Sequence, residues 1–387
     1  MFLAIWFLLQ AISLLGVINY WRHLPADRQE EAPDGAVMIL SVRDDWEADS
    51  ELVTRLRAQS APFRLLLATS GGCAAAEALA AAEPDWVQIV RAGVASDEGQ
   101  KVHKLRAALK TLRDSDRYLI FVDADIEPPV RLVGRLLFPL VRGKADIVTG
   151  YRLLLPAGHG MPALVGAVEM QLATLPRAAS ATMPWGGAMA MTRAAAERID
   201  IDAALAGRLS DDMAIGLAGW RTKLRMRPVR DLLVASLLDG GPGPLWGFGV
   251  RQYRHIITNS PRMWAVATGA VALQSGFWLW ALGWGGWPAI AIGYGAAWGR
   301  AMVRRGILGA VLEPAQAARA RRSLWWDMVT PFAVCWAHLA VQLQASFSNR
   351  IRWGGWTYRV VRYRVVEMGR GNLHSSPRLA REGMGMD

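Results

Sequence analysis

The chain has 387 residues, room for one catalytic domain plus membrane segments; 52% of them are hydrophobic and the mean hydropathy is +0.17. A formal net charge of +11 suits an anionic surface, but no zinc-finger spacing or RNA-binding signature accompanies it, so we expect a membrane and no nucleic-acid partner. The two cysteines, Cys73 and Cys335, sit far apart in unlike surroundings, which does not indicate a disulfide framework and suits a reducing compartment.

Met1 to Tyr20 is apolar apart from Gln10, Ser13 and Asn19, and Trp21-Arg22-His23 follow. About 20 apolar residues span a bilayer. A cleaved signal peptide would place its charge before the apolar run and small residues after it, and this segment does neither. The pattern predicts an uncleaved anchor over residues 1–21, with its N-terminus outside and the chain from residue 21 onward in the cytoplasm.

Residues 30–260 read as a soluble domain of alternating strands and helices. Apolar runs at Ala36–Val42, Phe63–Thr69, Trp86–Val90 and Tyr118–Val122 suit buried strands, and Glu47–Ala58, Cys73–Ala82 and Gly99–Leu112 carry helical signals. Such alternation predicts an α/β domain with a mainly parallel sheet, whose chemistry lies at the carboxyl ends of its strands. Asp44, Asp45 and Glu47 follow the first strand, where they either line a nucleotide site or are simply solvated.

Tyr118–Val122 delivers Asp123-Ala124-Asp125, and the i, i+2 spacing puts both carboxylates on one side of an extended chain. Oxygen ligands of this kind suit Mg²⁺ or Mn²⁺, which take one or two carboxylates plus phosphate oxygens; an acidic turn is the plain alternative. Ser210-Asp211-Asp212 opens an apolar helix, so one acid can cap it while the other serves as a general base. Arg251 and Arg254 share a helix face at i, i+3, where paired guanidiniums bind either a diphosphate or lipid headgroups.

Residues 261–348 form a second apolar region. Trp264–Leu282 and Trp287–Val303 suit a transmembrane hairpin joined at Gly283-Trp284-Gly285-Gly286, and Arg300, Arg304, Arg305, Arg319, Arg321 and Arg322 mark a cytoplasmic loop after it. Leu324–Phe347 contains Asp327, His338, Gln342 and Gln344, and both of its flanks are basic. A simple crossing would put the Arg-rich tail, residues 349–387, outside, so this block is either re-entrant or an exception to the positive-inside rule. The last ~15 residues are polar and Gly-rich, the composition of a disordered end.

Taken in order, strand, Asp-x-Asp, Asp-Asp, Arg-x-x-Arg and membrane, the chain resembles the family 2 glycosyltransferases of GT-A fold, above all the ceramide glucosyltransferase family and its bacterial lipid-glycosylating relatives. Gly99-Gln100-Lys101-Val102-His103-Lys104-Leu105 resembles that family's Lys-Val-Asn-x-Leu segment, Trp185-Gly186-Gly187-Ala188-Met189 its acceptor loop, Arg251-x-x-Arg254-His255 its (Gln/Arg)-x-x-Arg-Trp motif, and Trp353-Gly354-Gly355-Trp356-Thr357-Tyr358 its Trp-x-Gly-x-x-Tyr tail. The family's acid after the second strand is replaced here by Ala68-Thr69-Ser70-Gly71-Gly72, and its Trp by His255.

The resemblance implies a Rossmann-like GT-A catalytic domain between an N-terminal anchor and a C-terminal helical membrane region, in a multi-pass inner-membrane protein whose catalytic domain faces the cytoplasm. It implies an inverting transfer of a hexose from a nucleotide-sugar, UDP-linked, to a ceramide-like, diacylglycerol or hopanoid hydroxyl. Asp123 and Asp125 would hold the donor and a divalent metal, with Arg251, Arg254, Lys101 and Lys104 on the donor, Trp185, Gly186, Gly187 and Asp211 at the acceptor, and Asp212 as the base. A processive polysaccharide synthase and a catalytically inactive membrane scaffold of the same fold are the competing readings.

Overall fold

A computed structural model describes residues 1–47, 50–176 and 182–370. In chain order the elements are α1 (Phe2–Arg22), β1 (Ala36–Ser41), α2 (Ser50–Arg57), β2 (Arg64–Thr69), α3 (Ala74–Ala82), β3 (Val87–Arg91), α4 (Gln100–Leu109), β4 (Tyr118–Val122), α5 (Leu132–Val141), β5 (Ile147–Pro156), α6 (Met161–Ala173), β6 (Ala188–Thr192), α7 (Arg193–Arg198), α8 (Ile201–Leu205), α9 (Asp211–Arg221) and β7 (Met226–Leu238). There follow α10 (Pro242–Asn259), α11 (Pro261–Gly283), α12 (Gly286–Val311), α13 (Pro314–Ala320), α14 (Arg322–Val329), α15 (Pro331–Ser346), β8 (Arg350–Trp353), β9 (Trp356–Val361) and β10 (Arg364–Arg370).

The first seven strands form one sheet in the order β3-β2-β1-β4-β6-β5-β7. Its strands are buried on both faces because their residues alternate between two cores. Met38, Leu40, Ile120 and Val122 enter one cluster, while Val37, Ile39, Leu119 and Phe121 enter the other. The pairing is parallel except at β6, which runs antiparallel to both β4 and β5. The chain leaves β1 toward β2 and β3 and then returns to β4 on the other side, so β1 and β4 flank a topological switch point, where α/β sheets bind ligands. Reversal of β6 has a direct consequence for the site. Because Ala188 pairs with Val122, the residues just before β6 arrive at the carboxyl end of β4.

Strands β5 and β7 run on past the sheet, and Leu153, Leu155, Leu233 and Ala235 pack there with Val17 and Tyr20 of α1 and with Ala301, Ile307 and Leu308 of α12. This apolar joint ties the α/β domain to the helical region. α1 and α12 lie side by side in the same direction: the Trp6 indole N–H donates to the Ala289 carbonyl at 2.8 Å, and a Cβ at Gly299 or Gly306 would stand 3.2 Å from Leu14 or 3.0 Å from Trp21. The start of α1 and the α11–α12 turn therefore share one end of the bundle, and the α/β domain sits at the other.

Two described helices are long and apolar enough to cross a membrane, Phe2–Arg22 at a mean hydropathy of 2.0 and Pro261–Gly283 at 1.3. The expected second arm of the hairpin is present as α12 but is less apolar. Arg300 and Arg304, expected in a cytoplasmic loop, lie within α12 and are buried: Arg300 donates to Gln10 at 2.9 Å, and Arg304 to Thr174 at 3.1 Å and to Asp327.

Leu324–Phe347 is not one helix. Pro331 starts a new helix at Thr330, so α14 descends into the bundle and α15 climbs back. The low point is fixed where the Tyr294 hydroxyl donates to the Val329 carbonyl at 3.0 Å and Phe332 meets Trp278, ring centroids 6.2 Å apart. The outer ends both return to the α/β domain, through Arg322 to the Ala157 carbonyl at 2.6 Å and through Arg254 to the Arg350 carbonyl at 3.0 Å. α14 and α15 thus form a helical hairpin whose two outer ends, and the β8–β10 sheet after it, lie against the α/β domain.

Part of that tail is folded. Residues 350–370 make a three-stranded antiparallel sheet, β10-β9-β8, whose Ile351, Tyr358, Val360 and Val365 close over Leu209. The proposed disordered end, with Arg378 and Arg381, lies outside the described residues.

Candidate active site

Four distant segments meet at the carboxyl edge of β4. The strand ends in Asp123, α4 opens with Lys101, the pre-β6 loop brings Gly186, and α9 opens with Asp211 and Asp212. Lys101 Nζ lies 2.7 Å from Asp123 Oδ1, 3.0 Å from Asp211 Oδ2 and 3.4 Å from the Gly186 carbonyl oxygen. Burial works against the charge on Lys101, but Asp123 and Asp211 overcome it and hold the ammonium well above the ordinary lysine range. A side chain at 186 would push the pair apart, because a Cβ there would stand 2.7 Å from Asp211 Oδ2 and 3.0 Å from Lys101 Nζ.

The two adjacent acids have different surroundings. Asp211 is 3% exposed, and burial pushes its carboxyl up to about 6 against the pull of Lys101. Its Oδ2 has no aligned hydrogen bond, so Lys101 neutralises it as an ion pair. Asp212 is half-buried and reaches the loop before β6. Its Oδ2 accepts from the Gly186 N–H at 3.3 Å, and its Oδ1 accepts from the Ser210 hydroxyl and, at 2.7 Å, from the Met213 N–H. Of the two acids, either of which could cap the helix, Asp212 takes the helix-start amide; Asp211, expected at the acceptor, is the enclosed partner of Lys101.

Asp125 is exposed one residue beyond Ala124, and its own carbonyl is held by the Ser236 hydroxyl of β7 at 2.9 Å. Among the described residues no cluster of three or more His, Cys, Asp or Glu side chains could hold a metal ion. Two carboxylates at one strand end still fit a divalent cation that takes its other ligands from phosphate and water, and an ammonium already occupies the cationic position between Asp123 and Asp211.

Arg251 faces this site. It stacks on Phe248, 5.3 Å from the ring centroid, and is pushed down to about 10 by burial and then by the Arg152 guanidinium, with Asp125 opposing. Arg152, which the sequence reading missed, lies 5.0 Å from the same ring and pairs with Glu169 at 3.2 Å. An arginine inside the apolar run Tyr151-Arg152-Leu153-Leu154-Leu155 of β5 was the available signal.

Arg254 does not join Arg251. Its guanidinium donates to the Arg350 carbonyl and ties α10 to β8. The shared helix face did not bring the pair together because the C-terminal sheet, invisible to a local reading, offers Arg254 a closer acceptor. Lys104 likewise leaves the Asp123 cluster: it is buried and donates to the Val42 carbonyl at 2.6 Å, at the end of β1, where burial lowers its pKa.

At that end of β1, Asp44 Oδ1 accepts from the Ser70 and Gly71 amides at 3.0 and 3.1 Å, so an acid from the first loop occupies the loop that lacks its own. Asp45 pairs instead with Arg43 at 2.6 Å. His103 bonds Glu98 at 2.7 Å and the Ala92 carbonyl at 2.9 Å, a structural role that fixes the start of α4. His255 meets Trp353 edge-on at 5.6 Å; burial and then Arg251 push its imidazole down to about 4, so it is neutral. Trp185 donates its backbone N–H to the Thr149 hydroxyl at 2.9 Å, and its ring packs so closely that a Cβ at Gly187 would strike it at 2.1 Å.

No family model matches the chain, and no curated protein matches it. Among solved structures it is similar to a mannosyltransferase from Pyrobaculum calidifontis in complex with GDP-Man and Mn²⁺, at 15% identity over 90% of this chain and 98% of that one, with a TM-score of 0.46. It is also similar to glucosyl-3-phosphoglycerate synthase from Mycobacterium tuberculosis, in complex with phosphoglyceric acid, at 16% identity over 58% of this chain and 80% of that one, with a TM-score of 0.37. The same synthase with Mn²⁺, UDP-Glc and phosphoglyceric acid gives 15% identity, 58% and 79% coverage and a TM-score of 0.38.

Proposed function

We propose that the chain is a membrane-bound inverting glycosyltransferase that moves a hexose from a nucleotide-sugar, UDP-linked, to the hydroxyl of a membrane lipid of the ceramide, diacylglycerol or hopanoid class. The observation that carries this reading is the convergence of Asp123, Lys101, Gly186 and Asp212 at one strand end, beside the exposed Asp125 and the cationic Arg251.

Asp212 is oriented by Ser210 and Gly186 and remains open to an acceptor, which Asp211 is not. Its carboxylate takes the proton of the acceptor hydroxyl as the oxygen bonds to the anomeric carbon; the bond from that carbon to the diphosphate oxygen breaks on the opposite side, and the configuration inverts. Asp123 and Asp125 would hold a Mg²⁺ or Mn²⁺ ion, which when bound neutralises charge on the departing nucleoside diphosphate. Arg251 supplies further positive charge to the same group, and Lys101 keeps Asp123 and Asp211 in place. The test is chemical: lipid extracts of cells with and without the protein are compared by mass spectrometry, and the detergent-purified protein is given UDP-hexose and the lipid that differs. A hexose-dependent mass gain is expected, and lipid profiles that are identical with and without the protein would reject the lipid acceptor.

The membrane reading rests on α1 and α11 and on the shared end of the bundle that holds Met1 and the α11–α12 turn. Both native cysteines are buried, so engineered ones report cleanly. A cysteine near residue 370 is expected to resist membrane-impermeant reagent in intact cells, and one replacing Trp284 to react. Labelling near residue 370 from outside would overturn the re-entrant arrangement.

A further inference from the structure

Where the re-entrant α14 leaves the catalytic domain, a cavity of about 370 Å³ opens between His159, Ala318, Arg321, Arg322, Trp325 and Met328. We infer that it is a binding site for the phosphate headgroup of an anionic membrane lipid; this rests on the membrane-bound reading but not on any particular sugar transfer.

The wall is built rather than frayed. Arg322 donates to the Pro156 and Ala157 carbonyls at 3.2 and 2.6 Å, and the Trp326 indole N–H donates to the His159 carbonyl at 3.0 Å, so α14 grips the loop that carries His159. Its charge is one-sided. The single acid of α14, Asp327, turns inward onto Arg304 and Gln171, and Arg321 is exposed with no ion pair among the described residues. Guanidinium groups left without a carboxylate favour phosphate oxygens. The floor is apolar, from Ala318, Trp325 and Met328, as a glycerol backbone and the first acyl carbons require.

Position agrees with chemistry. The Trp325 ring is 58% exposed at the cavity, and the 53% exposed Trp298 of α12 donates to the Met328 carbonyl at 3.0 Å, so two tryptophans mark the level of a headgroup layer. Pro156 lies four residues along β5 from Arg152, roughly 13 Å at an extended rise. A lipid held in the cavity would thus seat the edge of the sheet on the bilayer beside the active site.

The experiment uses the full chain in neutral detergent, titrated with short-chain phosphatidylglycerol, short-chain phosphatidylcholine or inorganic phosphate while thermal unfolding is followed. Phosphatidylglycerol should raise the melting temperature, and the other two should not. Arg321→Gln combined with His159→Gln changes exposed side chains only, and should weaken the apparent affinity by about tenfold, as for a lost charge-assisted bond. Trp325→Ala should weaken it as well, whereas Arg305→Gln, an exposed basic position outside the cavity, should leave it unchanged. Retention of the full shift in the double variant, an equal loss in Arg305→Gln, or an equal shift with inorganic phosphate or phosphatidylcholine would overturn the site. Because the readout is binding, each of these outcomes is independent of whether glycosyl transfer is observed.

Discussion

Under the proposed function, Asp125→Ala is expected to abolish transfer while leaving the protein folded. Its side chain is exposed, and its place in the fold is set by its backbone, through the carbonyl that accepts from Ser236. Exposed substitutions of this kind change stability by about 0.5 kcal/mol or less. Loss of the carboxylate removes one of the two oxygen-ligand side chains at the end of β4, and Asp123 alone is already engaged by Lys101. Chelation of divalent ions should silence the wild type to the same degree. The measurement pairs a transfer assay with a melting curve, and full activity in EDTA would remove the metal from the proposal.

The second large effect separates two neighbours. Asp212→Asn keeps shape but cannot accept the acceptor's proton, and loss of a general base costs about 10²–10⁴ in rate. It forfeits at most one of three accepted hydrogen bonds, worth about 1 kcal/mol, so nucleotide affinity and folding should survive. Asp211→Asn should do the opposite. Removing one partner of a buried ion pair costs about 3 kcal/mol when the other charge keeps a second partner, as Lys101 keeps Asp123. That lowers the melting temperature far more than a lost cap would, while the rate falls much less than in Asp212→Asn. Single-turnover transfer, UDP affinity and thermal unfolding of both variants distinguish them. An active Asp212→Asn beside a stable but inactive Asp211→Asn would move the base by one residue.

How much of this could be read from the residues depends on the range of the interactions involved. The strand before Asp123 was found at its true bounds, Tyr118–Val122, because a buried strand announces itself as an uninterrupted apolar run and the chemistry follows directly on the chain. The other three expected strands agree within a residue at each end. The reversed direction of β6 is not in its own sequence: Ala188-Met189-Ala190-Met191 is as apolar as any parallel strand, and its direction follows from which neighbours are left unpaired. The break at Thr330 carried a proline signal, yet hydropathy over the whole block obscured it. Arg152 and Arg254 changed places as site residues for one reason. A guanidinium goes to the nearest acceptor in space, and Glu169 and the Arg350 carbonyl are brought close only by tertiary contacts.

The C-terminal sheet also sets the order in which this molecule becomes complete. The Tyr358 hydroxyl meets the Gln100 amide at 3.4 Å, next to Lys101, across 258 positions of chain, and Val365 donates to Gly207 at 2.9 Å. Every helix from α10 to α15 is synthesised between those partners. Contacts of such sequence separation form last, since the intervening chain must first be placed. A ribosome that stalls before residue 350 therefore leaves a nascent chain with Asp123, Asp125, Asp211 and Asp212 all present but with Leu209 and His255 uncovered. The four carboxylates are thus in the chain well before the sheet that covers Leu209 and His255 has been made.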